Sequence, residues 1–130
     1  MNSMRVACAA ILAGAAMTLP ASTAAAKPAM PTVTISLATY SFSPNPIYLA
    51  GGVPVRIIFT NRSGQTHEFD APIFFRSSRI LGGHAPRGEI RLRGGQTRVI
   101  QLVPARGTYK AHCGRPFHTV FGMTARIIVS

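Results

Sequence analysis

The sequence predicts an all-β protein, specifically a Greek-key antiparallel β-sandwich of seven or eight strands. Three observations point there. Short apolar or alternating runs recur along the chain, clusters of Gly, Pro and Asx residues separate them, and no segment carries a convincing helical period. At this length one domain with one core is expected.

The runs follow in order. After KPAMP (residues 27–31), read as a flexible N-terminus, come TVTISLATYSF, IYLAGG, VPVRIIFTN and THEFDA, with SPNP, AGG and NRSGQ as turns between them. GEIRLRGG and QTRVIQLVP show the clearest alternation, in EIRLR and TRVIQLV, so each has one inward and one outward face. GTYKAHC and MTARIIVS close the chain. The segment from Pro72 to Gly88 is long enough for an irregular loop or a helical turn. Residues 32–130 are therefore expected to form the single folded domain.

Residues 1–26 read as a secretory signal peptide: one charge at Arg5, the apolar run VACAAILAGAAMTL, then ASTAAA with small residues at Ala24 and Ala26. The run is short for a transmembrane span and Pro20 interrupts it, so cleavage is expected and no stable membrane span. Cys8 stands at the start of the apolar run, where a lipid-modified cysteine would follow it, and it is expected to leave with the leader. The mature protein is thus expected in the periplasm or secreted.

The chain has 14 Lys and Arg against 3 Asp and Glu, a formal net charge of +11, of which the leader removes only Arg5. Such an excess favours acidic partners or anionic surfaces. Nucleic acid is not expected, because the protein is exported and its arginines form no dense run; most of them read as solvated surface. A monomer is expected.

The chemistry concentrates in YKAHCGRPFHTVFGM, residues 109–123. Without the leader Cys113 has no disulfide partner, which leaves a buried inert thiol, an intermolecular bridge or a metal thiolate. If GTYKAHC ends one strand and MTARIIVS begins the next, the intervening loop brings Cys113, His118 and Met123 to one end of the sandwich. Thiolate, imidazole and thioether together suit copper, which alternates between a soft reduced and a borderline oxidised state. A trigonal site needs a second imidazole from elsewhere in the fold, and His67 in THEFDA supplies it. His112 alternates with Cys113 and should face the opposite side of its strand, while His84 lies in the loop GGHAPRG.

Residues 32–130 resemble the cupredoxins, the small type 1 blue-copper proteins of plastocyanin and azurin type. The resemblance runs from the strand before NRSGQTHEF through GTYKAHCGRPFHTVFGMTARIIV. It implies a β-sandwich electron carrier holding one copper, with His67, Cys113, His118 and Met123 in the ligand positions. Arg115, a charge in a ligand loop that is often apolar in the family, and the 72–88 segment are departures from its pattern.

Neighbouring chemistries lack their residues. A dinuclear copper centre needs two bridging cysteines, and multicopper oxidases need paired H-x-H motifs. Hydrolysis needs a Ser-His-Asp set or a spare acid/base pair. The expectation is therefore not an enzyme but a carrier of single electrons between redox proteins, with a partner such as a cytochrome presenting an acidic docking surface. The rival is a copper-handling protein for resistance, sequestration or delivery, and the third class is a metal-free interaction module. In the carrier, Pro116 would stiffen the loop, Gly114 and Gly122 would permit tight turns, and His118 between Phe117 and Phe121 would form the electron port.

Overall fold

A strand with alternating apolar residues is apolar on one face only, and it must lay that face on another sheet. In this chain ten strands among the described residues do so as two facing sheets of five. The structure is a computed structural model that describes residues 24–130. The expected leader, with Cys8, therefore lies outside the described residues up to residue 23, and residues 24–31 carry no regular structure.

The strands are β1 (Thr32–Ala38), β2 (Ser41–Ser43), β3 (Ile47–Leu49), β4 (Val55–Asn61), β5 (His67–Asp70), β6 (Arg79–Gly82), β7 (Glu89–Leu92), β8 (Thr97–Val103), β9 (Gly107–His112) and β10 (Thr124–Val129). One sheet runs β2-β1-β4-β8-β6 and the other β3-β10-β9-β5-β7. The expected sandwich is present, with more strands than expected for two local reasons. TVTISLATYSF folds back at Thr39–Tyr40 into the β1–β2 hairpin, which Tyr40 turns with φ +62°. The 72–88 segment holds a short helix α1 (Pro72–Ser77), strand β6 and a 3-10 turn at Pro86–Gly88. Most pairings are antiparallel, but β1–β4 and β3–β10 are parallel.

Between the sheets lie Ile35, Leu37, Ile57, Phe59, Ile100 and Leu102 from one side and Ile47, Phe69, Ile90, Leu92 and Ile127 from the other, all buried. Phe69 touches both Phe42 and Phe59, with ring centroids 5.2 and 5.0 Å apart. Each such buried aromatic contributes about 1.5–3 kcal/mol through the water it leaves. Pro72 opens α1, where the missing N–H costs nothing, and the helix lays Phe74 and Phe75 over the core. This frame matters for function because β4, β5, β9 and β10 all reach the same end of the sandwich.

That end is stiffened by Asn61, a polar residue only 1% exposed. Its side-chain amide donates to Gln65 O (2.7 Å) and Leu92 O (3.0 Å), and its carbonyl oxygen accepts from the Ser63 amide (3.0 Å) and hydroxyl (2.9 Å). The Asn61 backbone N–H also donates to Gln96 O at 2.9 Å. One side chain thus ties the β4–β5 turn to β7 and leaves no buried polar atom of its own unpaired.

Candidate metal centre

Strand parity builds the site. On β5, His67 and Phe69 face inward and Glu68 and Asp70 outward; where β9 ends, Ala111 and Cys113 face inward and His112 outward. His67 and Cys113 therefore meet inside the sandwich end, both at most 1% exposed. His118 arrives from the loop. Its Nδ1 lies 3.4 Å from Cys113 Sγ, His67 Nδ1 lies 4.0 Å from the same sulfur, and the three donor atoms all fall within 4.8 Å of one another.

These spacings fit one metal ion. Donors held about 2.0–2.3 Å from a common ion in a plane stand roughly 3.5–4 Å apart, which is the spacing of the thiol and the two imidazoles. Met123 is fully buried, and its backbone is tied to both neighbours: Cys113 N–H donates to Met123 O (3.1 Å) and Met123 N–H to His118 O (3.0 Å).

The protonation states suit ligation. Burial, then the His118 ring and then the Arg115 guanidinium, hold His67 below the usual histidine range, so its ring stays neutral, the form that binds metals. With Nδ1 aimed at the thiol, its proton belongs on Nε2, which is buried without a hydrogen-bond partner among the described residues. Packing therefore orients this ring. The Glu68 backbone N–H donates to Cys113 Sγ at 3.4 Å, the kind of contact that stabilises a thiolate.

The loop is internally braced. Thr119 Oγ1 donates to Cys113 O (2.8 Å), His118 N–H to Arg115 O (3.2 Å) and Phe121 N–H to Phe117 O (3.1 Å). Gly122, at φ +90°, adopts a backbone that L side chains resist. Gly114 serves differently from the expected tight turn: its φ is ordinary, and a Cβ there would lie 2.6 Å from Glu68 Oε2. A side chain there would have to displace the Glu68 carboxylate.

Sequence reasoning missed two neighbours. Tyr40 meets His118 edge-on (5.3 Å between centroids) and also touches Phe121 (5.0 Å); only recognition of the β1–β2 turn would have placed it there. Glu68 carries the carboxylate that fills the space beside Gly114. His112 faces outward as expected, with Nε2 3.3 Å from Asp70 Oδ2. His84 is exposed between β6 and the 3-10 turn, and is not one of the three clustered donors.

With the geometry in place, the comparisons decide the family. The profile of the cupredoxin-like domain matches residues 8–129. The chain belongs to the cupredoxin-like family. No curated protein sequence matches it. Among solved structures this cupredoxin is similar to the dithionite-reduced auracyanin of the photosynthetic bacterium Roseiflexus castenholzii (TM-score 0.58, 20% identity, 79% of this chain and 99% of that one). It is similar also to auracyanin A, a blue copper protein of Chloroflexus aurantiacus (0.54, 21%, 76% and 99%). A multicopper oxidase of Campylobacter jejuni aligns over 80% of this chain but only 31% of its own (0.59, 12%). At these identities the neighbours attest the fold. Family and donor chemistry together make this end a site for one copper, with His67, Cys113, His118 and Met123 arranged around it.

Proposed function

We propose that this cupredoxin is an exported carrier of single electrons between redox proteins, working as residues 27–130, with its folded domain at 32–130, after a signal peptide at 1–26 is removed. The observation that carries the reading is the setting of the donors. Two imidazole nitrogens face one buried thiol, while the His118 ring reaches the surface among Phe117, Val120 and Phe121, which are 73, 82 and 61% exposed. An apolar patch of this kind on an otherwise strongly basic domain marks a contact surface.

In this reading His67, Cys113 and His118 would hold the ion, and the Met123 thioether would add a weak further donor. Bound copper supplies the one-electron couple. The residues do the rest: two strands and a braced loop keep the donor geometry constant, the core excludes water, and the Glu68 amide supports the sulfur. His118 offers a short route to a partner docked on the patch. That partner is a redox protein with an acidic docking surface, for which a cytochrome is one example, and the carrier acts as a periplasmic or secreted monomer. Among the described residues no helix is long and apolar enough to cross a membrane.

The oxidase-like neighbours do not alter the reading, because the sequence contains no H-x-H pair with which to hold further copper ions. Optical and electron-spin spectra of the copper-loaded protein are the test. An intense visible band with one copper per chain is expected, and a colourless protein would end the proposal. Rapid reduction and reoxidation without loss of metal mark a carrier, whereas transfer of copper to a competing chelator during cycling marks a delivery protein.

A further inference from the structure

Beside the donor cluster lies a polar groove of about 420 Å³ lined by Thr66, Arg91, Arg93, Gln96 and Arg98. It bridges β7, at the edge of one sheet, and β8 of the other. Its walls are rigid. Asn61 clamps the turn that carries Thr66 to Leu92 and Gln96, the Arg93 amide donates to Gln96 Oε1 (3.0 Å), and Gly94 is pressed against Ser63 and Gly64 so closely that a Cβ would sit 2.8 Å from them.

The charges here are unbalanced. Of the three arginines only Arg91 meets a carboxylate, with Nη1 3.6 Å from Glu68 Oε1; Arg93 and Arg98 have no acidic partner among the described residues. The chain's three carboxylates, Glu68, Asp70 and Glu89, are on β5 and β7 and none lines the groove. Thr66 is one residue from His67, and Glu68, which Arg91 holds, gives its amide to Cys113 Sγ. The groove is therefore linked to the donors through two of its lining residues, Thr66 by the chain and Arg91 by way of Glu68.

We propose that this groove receives the Asp and Glu side chains of a protein partner, and that the partner it selects is the electron donor. The inference rests on the proposed carrier function. Oxidised copper with one thiolate and neutral imidazoles carries a net charge of +1 and the reduced centre none, so carboxylates beside His67 favour the oxidised carrier. Linkage makes the effect reciprocal: an acidic partner binds the oxidised form more tightly and lowers its potential by the same factor. A reduced donor therefore docks on the oxidised carrier and gives up one electron, becoming oxidised as the carrier is reduced. The centre's charge then falls to zero and the complex loosens, with no proton transferred.

A ten-residue glutamate peptide serves as the probe, with binding measured on metal-free, oxidised and reduced protein. Replacing both Arg93→Gln and Arg98→Gln should weaken binding about tenfold and flatten its salt dependence. Replacing Arg56→Gln and Arg79→Gln, two exposed arginines at the opposite end of their strands, removes the same charge and should cost much less. Equal losses in the two double variants, or a preference for phosphatidylglycerol vesicles over the peptide, would overturn the groove as a protein site. The oxidised form should bind about threefold more tightly than the reduced, which at 59 mV per tenfold corresponds to a potential lowered by roughly 28 mV with peptide bound. Binding that ignores redox state would overturn the donor assignment. Because the metal-free arm tests the groove alone, failure to bind copper would sink the carrier reading separately.

Discussion

His67 and His118 present the same atom to the same sulfur from opposite kinds of backbone. His67 opens a strand, fully buried, with Phe69 beyond it and the Asn61-clamped turn before it. His118 rides on a loop, half-buried, with Tyr40 and Phe121 against its ring. The buried half fixes geometry and keeps an imidazole neutral; the exposed half offers a ring edge to a partner. A centre made only of strand residues would be rigid but inaccessible, and one made only of loop residues would be accessible but would reorganise with each electron.

The thiol joins the halves, so its loss should have the largest effect. Cys113→Ser removes the sulfur from which charge transfer to oxidised copper draws its intensity, and the visible band should vanish. The sandwich should remain folded, as circular dichroism would show. A variant that stayed equally coloured would remove Cys113 from the site.

The two histidines can then be separated directly. His118→Gly should leave a gap open to solvent, so added imidazole should restore colour, and stability should change by about 1 kcal/mol or less. His67→Gly should leave a closed cavity, costing about 2–4 kcal/mol on denaturant titration, with no rescue by imidazole. Rescue of both variants alike would mean that the centre has no buried half.

This division also explains what was legible in the sequence. The donors could be read because their spacing in YKAHCGRPFHTVFGM is chemical, and a strand-borne partner in THEFDA was required to complete the set. The sandwich could be read because EIRLR and TRVIQLV alternate. The parallel pairings β1–β4 and β3–β10 could not, since parallel and antiparallel strands share the same period. The six residues of α1 are too few to display a helical repeat. Tyr40 was hidden inside an apparently continuous strand, and the groove arginines looked like ordinary solvated charge until folding placed Arg98 of β8 beside Arg91 of β7 and Arg93 just after it.

Met123 belongs to both halves: it ends the loop, yet its side chain is fully buried. If it is the weak axial neighbour, Met123→Leu should keep copper and colour while raising the potential, because an electron-rich donor to the oxidised ion is lost. Voltammetry of the two proteins measures the shift. An unchanged potential would assign Met123 to core packing alone.

Arg115 should produce the smallest effect and the most diagnostic one. It stands in the exposed half, yet its Nε is buried without a partner among the described residues, and its charge helps to depress the protonation of His67 in the buried half. A guanidinium there disfavours the +1 oxidised centre relative to the neutral reduced one, so Arg115→Gln should lower the potential. At an effective dielectric near 20 and about 8 Å the Coulomb energy is roughly 2 kcal/mol, and solvent reduces it, so the shift should be smaller than that. The same substitution should raise the titration of His67 in the metal-free protein, followed by NMR. It should not return His67 to its ordinary value, because burial is the larger cause. The salt dependence of electron transfer adds a third readout: a flatter slope with an unchanged potential and an unchanged His67 would place Arg115 on the docking rim, and the two halves would then be electrostatically independent.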